Sequence, residues 1–221
     1  MAEELRLWAI SVDEFRQCFA APPLLADRLR HIAQSIAGVA ASPAPHGLLN
    51  KLGPLMRRPT DAPVIRPDQP NLNDAEALMT GRYIASDRLA ASWVLVRAWL
   101  DALAIAHTII PLAQSTIDRL EFDLARAGVS TQISIRHLWG RSLDIPLRST
   151  GDMCVGYMDH AGTTRLAEAW AAAVPELEPG TAQLATALLE FFARFPALAE
   201  ASAGGDQGSP PPDLIAWWTG R

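Results

Sequence analysis

Lysine is almost missing from this 221-residue chain: Lys51 is the only one, and arginine supplies nearly all the positive charge. Acids outnumber bases 24 to 19, for a net charge of −5, and no Lys/Arg block is long enough to track a phosphate backbone. That balance argues against nucleic-acid binding. Cysteine is scarce too. Cys18 and Cys154 lie far apart, so a disulfide framework is not expected, and a reducing, cytoplasmic setting is the simpler reading. No long apolar run is free of charge. The longest, Leu89 to Leu112, contains Arg97, Asp101 and His107. Two charges at a bilayer midplane would be costly, so this segment reads as a buried central helix and not a membrane span. The first residues, MAEELRLWAISVDEF, carry acids where a secretory signal carries bases.

Catalytic and metal signatures are absent as well. The five histidines (His31, His46, His107, His137, His160) show no HExxH or HxH spacing, the cysteines form no CxxC, and there is no GxSxG, Walker loop or GxGxxG. The glycine-rich stretch Gly204 to Gly208 follows a helical segment and runs into prolines, so it cannot cradle a phosphate at a helix start. No metal and no cofactor is assigned.

What is present is a globular composition, 49% apolar and 19% charged, that suits a single domain over 1–221. Leu5 to Ile10 reads as a strand, and Ser11 with Glu14 as a capping signature for a helix that turns Val12, Phe15 and Phe19 inward. Pro22 and Pro23 end that helix and start another, through Leu25, Leu29, Ile32 and Ile36. Residues 42–72 are Pro-rich and irregular, a length of loop that is often functional. Asn73 with Glu76 gives a second capping signature. The main helix presents Leu89, Trp93, Val96, Leu100, Leu103 and His107 on one face.

Thr108 to Leu112 reads as an edge strand because of Pro111, Ser115 with Asp118 as a helix start, and Gly128 as its stop. Val129 to Ile135 alternates like a strand, and Met153 to Met158 is a second strand-like run before a helix through Leu166 and Trp170. A further helix runs from Thr181 to Phe195. Residues 201–212 form a flexible linker to a C-terminal strand, Asp213 to Trp218. The expected fold is α+β: mostly helical, with a small mixed or antiparallel sheet packed against a long central helix.

Four stretches carry a resemblance: Leu7-Trp8-Ala9-Ile10 before a capped helix, Arg88-Leu89-Ala90-Ala91-Ser92-Trp93, Val155-Gly156-Tyr157 before a helix, and the closing Asp213-Leu214-Ile215-Ala216-Trp217-Trp218. In order and spacing they resemble the YfbM-like family of uncharacterised bacterial proteins, its actinobacterial branch above all. The resemblance implies a compact α+β fold with a long helix bearing the Ser-Trp pair, and no chemistry. The Pro-rich segment and the Gly/Pro-rich linker depart from the family pattern.

Three groups of residues are candidates for function. Trp217 and Trp218 are adjacent, so on a strand they face opposite sides, and an indole left exposed would mark a protein partner. Arg97, Asp101 and His107, with Arg82 and Tyr83 nearby, would hold an anionic small molecule if they line a cleft; the ordinary alternative is an i,i+4 ion pair on a helix surface. Cys154 and His160, flanked by Asp152 and Asp159, would make a thiolate–imidazolium pair if the loop folds back, against a plain buried cysteine and a solvated histidine. The tryptophan surplus, the acidic balance and the lack of catalytic signatures favour a non-catalytic protein-binding protein of immunity-factor or regulatory-subunit type. The alternative is a small-molecule enzyme or ligand-binding protein with a cleft near the Pro-rich segment. A homodimer on exposed apolar surface is compatible with either.

Overall fold

The computed structural model of the chain describes residues 3–37, 69–151, 153–204 and 209–220. The Pro-rich segment up to residue 68 lies outside them, as does Asp152.

The first strand, β1 (Glu4–Ile10), buries residues on both faces: Leu5, Leu7 and Ala9 on one, Trp8 and Ile10 on the other. Ser11 ends it and caps α1 (Val12–Arg16) by accepting from the Glu14 N–H at 3.4 Å, as the spacing predicts. After a 3-10 turn, Pro23 opens α2 (Pro23–Ile36). The next cap falls two residues earlier than expected. Asn71 and Asp74 form a reciprocal capping box for α3 (Leu72–Met79), with bonds of 3.0 and 2.9 Å. Asp74 wins the role because it also takes Arg88, which donates to both its carboxylate oxygens at the start of α4 (Leu89–Leu103).

The α4 helix is the expected long helix, with Trp93, Val96, Trp99 and Leu100 buried. It stops at Leu103 because Ala104 turns extended and the chain enters β2 (Ala106–Pro111). His107 is therefore a strand residue and does not extend the helix face. Helix α5 (Gln114–Arg126) starts just before Ser115, with Ala113 at the cap position, and ends at Gly128, whose φ of +82° glycine adopts freely.

The strand expected over Val129 to Ile135 does not form. Two short 3-10 turns replace it, Thr131–Ile133 and Ile135–Trp139. Ile135 and Leu138 are buried, and the Ile133 carbonyl accepts the Trp170 indole N–H at 2.9 Å. Tertiary contact with a helix, and not an adjacent strand, sets this segment's shape.

The strand β3 (Met153–Met158) then leads into α6 (His160–Ala173), followed by α7 (Pro179–Phe192), α8 (Phe195–Ala203) and β4 (Asp213–Thr219). Helix α8 runs into the first residues of the expected linker.

The sheet order is β2-β1-β4-β3, with every pair antiparallel. The fold is α+β and mostly helical, as expected. The expected C-terminal strand forms and lies between β1 and β3. Helices α1 to α4 cover one face, around Trp8, Trp93, Trp99, Ile215 and Trp217. Helices α5 to α8 cover the other, around Leu7, Leu214, Trp170, Phe192 and Phe195. Each fully buried side chain of leucine size contributes roughly 1.5–3 kcal/mol, so two such cores fit a chain without staples. Among the described residues no helix is long and apolar enough to cross a membrane.

Candidate functional site

The structure scatters the residues singled out from the sequence. Trp217 is buried on the α4 side between Trp8 and Trp93, with ring centroids 6.2 and 5.0 Å away. Trp218 faces the opposite side, as alternation requires, but stacks on Trp139 at 6.4 Å and gives its indole N–H to the Leu112 carbonyl at 2.8 Å. Neither indole is left open for a partner. Arg97 and Asp101 do not pair. Asp101 instead accepts the Trp8 indole N–H at 2.8 Å, and Arg97 has no carboxylate partner among the described residues.

Cys154 and His160 are not brought together. Cys154 sits early on β3 opposite Trp218, and His160 opens α6. At ~3.3 Å per residue, the steps from Cys154 to Met158 alone span roughly 13 Å. The His160 ring rests on Phe195 at 6.2 Å, and its buried Nδ1 has no hydrogen-bond partner among the described residues. Cys18 is fully buried, and burial pushes its thiol up to about 12, so it is no nucleophile.

What the sequence did not reveal is the contrast between the two edges of the sheet. Along β3 the outward backbone N–H of Tyr157 is taken by the Arg141 carbonyl at 3.0 Å, and that of Met153 by the Thr150 carbonyl at 3.2 Å. This closure needs Gly156, where a Cβ would lie 2.4 Å from the Arg141 oxygen and 2.6 Å from the Trp139 oxygen.

The opposite edge, β2, is open among the described residues. Leu112 N donates to Glu3 O at 3.0 Å, so by antiparallel alternation Ile110, Thr108 and Ala106 share their backbone bonds with Leu5, Leu7 and Ala9. The backbone groups of His107 and Ile109 therefore point away from the sheet. Their side chains are exposed on the α4 face, Ile109 to 47%, and Ile105, just before the strand, is exposed to 55%. Pro111 blocks the last position only, and no lysine or inward-pointing charge guards the rest.

The far end of the sheet is polar and tightly tied. Asp213 opens β4 and accepts from two helix starts, the Val12 N–H of α1 at 2.9 Å and the His160 N–H of α6 at 3.2 Å. Burial raises its carboxyl above the ordinary range, and these two donors offset that only in part. Asp159 caps α6 through the Gly162 N–H at 2.7 Å and pairs with Arg141 at 2.6 Å. The backbone donor, and after it Arg141, holds this carboxyl below its usual range. Arg16 and Arg141 lie 5.6 and 5.9 Å from the centre of the Tyr157 ring. Among the described residues no cluster of His, Cys, Asp and Glu gathers to hold a metal ion.

Compared with known proteins, the chain matches no family, no curated relative and no solved structure, so its function has to be read from this geometry.

Proposed function

We propose that the protein is a non-catalytic, cytoplasmic protein-binding protein of immunity-factor or regulatory-subunit type, and that it takes its partner at the β2 edge. One observation carries this: among the described residues, the fold closes one sheet edge with its own backbone and leaves the other open beside two exposed isoleucines. Unpaired edge N–H and C=O groups are a template for an added strand, and alternate apolar side chains give such a strand its specificity. The partner supplies an extended segment that pairs with His107 and Ile109 and packs an apolar side chain against Ile109. Arg6 lies opposite Ile109 on β1 but is already neutralised by Glu4 at 2.7 Å, so the contact is apolar and backbone-driven.

Membership of the YfbM-like family belongs to the same reading. The four stretches behind it are fold-defining: β1, the buried Ser92-Trp93 pair, the close approach at Gly156 and the central β4.

Ile109→Pro tests the proposal. The Ile109 N–H serves no bond within the sheet, so proline there leaves the fold intact but removes an outward donor. Immobilised wild type should capture a stoichiometric protein from its own cells, and Ile109→Pro should lose it at unchanged Tm. Ile109→Arg, which spares the backbone and removes the apolar contact, should weaken it. Capture of the same protein by Ile109→Pro would sink the proposal, as would a wild type that elutes as a dimer and captures nothing.

A further inference from the structure

A second site stands at the other end of the sheet, independent of the β2 edge. Between the 3-10 turns, the end of β3 and the first turns of α6 lies an open cavity of about 360 Å³. Its polar wall holds Arg141, Arg165, His137 and Asp159. Its floor is apolar, made by Ile133, Met158 and the almost fully buried Leu166.

The charges in this cavity do not balance. Asp159 is committed on both oxygens, one to the Gly162 N–H and the other to Arg141. Arg165 is within electrostatic reach of Asp159 but makes no ion pair among the described residues, and no other described carboxylate lines the wall. His137 bonds Ser134 through Nδ1 at 3.1 Å, which leaves its other ring nitrogen unused among the described residues. Among the described residues the cavity therefore offers one uncompensated guanidinium and a free imidazole nitrogen above an apolar floor, in the size range of small-ligand pockets.

We propose that this cavity binds a small organic anion, a carboxylate or phosphate monoester on a compact apolar body. Arg165 grips the anionic group, since guanidinium matches the planar oxygens of either anion, and His137 supplies a second contact. The body lies on Ile133, Met158 and Leu166. The Asp159–Arg141 pair fixes the wall and keeps Arg141 from turning away. The proposed occupant is small, matched to a volume near the lower end of small-ligand pockets.

Isothermal titration calorimetry on the full-length protein with benzoate, phenyl phosphate and inorganic phosphate tests this. Benzoate or phenyl phosphate should bind with a Kd below about 1 mM, and whichever binds more tightly names the anion. Arg165→Gln, at an exposed position, should weaken that binding about tenfold, the loss of one charge-assisted contact, with Tm unchanged. Ile133→Asp should weaken it as well. Arg97→Gln, placed on the other side of the sheet, should leave it as it was. No heat from either organic probe overturns the proposal. Inorganic phosphate binding as tightly as phenyl phosphate overturns the role of the apolar floor, and undiminished binding by Arg165→Gln overturns the site.

Discussion

Five indole N–H groups reach an acceptor across the fold: Trp8 to Asp101, Trp93 to Arg148, Trp99 to Leu29, Trp170 to Ile133 and Trp218 to Leu112. The buried indole nitrogen of Trp217 has none among the described residues. A buried donor without an acceptor keeps its desolvation cost, whereas a donor to a carboxylate contributes. Trp8→Phe should therefore cost about 1 kcal/mol or more beyond Trp217→Phe, the two changes removing the same ring atoms. Urea denaturation of both variants checks this, and equal losses would contradict it. The tryptophan surplus was plain in the sequence, and so was the opposite facing of Trp217 and Trp218. Which indoles are satisfied was not legible. Their acceptors lie 37 to 106 residues away, beyond any local pattern.

Signals confined to one element were read well at Ser11, Pro23 and Gly128, and missed by two residues at the caps placed on Asn73 and Ser115. Ser11, Pro23 and Gly128 start and stop helices because a cap or a breaker acts within four residues of itself. Alternation failed at Val129 to Ile135, where contact with Trp170 decided the conformation, and at His107, where helical spacing ran on past the helix end. Pro111 marked β2 as an edge strand, as it is, but that this edge stays open while the β3 edge is closed was not legible, since that depends on which strands pair and in what register. The start of α6 gives an element-scale prediction. Asp159, the cap of α6, is held below its ordinary value of 3.8 in the folded protein. Its stabilising contribution is thus present above pH 3.8 and is lost as the pH falls through the lower folded value. Asp159→Asn should lower Tm at pH 7, and the gap from wild type should narrow as the pH drops below 3.8. A gap that stays constant across that range would show that the carboxylate charge is not what supports the helix.

At the scale of the molecule, β4 joins everything. It pairs with β1 and β3 along its whole length, faces both cores with Ile215 and Trp217 on one side and Leu214 and Ala216 on the other, and ties α1 and α6 through Asp213. A chain cut before residue 209 should show no cooperative thermal transition and should aggregate, because two inner edges and two apolar layers lose their cover. A sharp transition in that truncated chain would mean that one helical layer folds on its own. The order of the strands also has a consequence for biosynthesis. The β1–β2 strand pair leaves the ribosome about a hundred residues before β4 does, and at ~5–20 residues per second it waits roughly 5–20 s with its inner side unpaired. The nascent chain is most vulnerable in that interval. Codons that slow translation between the two strands would lengthen it, and with it the demand for chaperones.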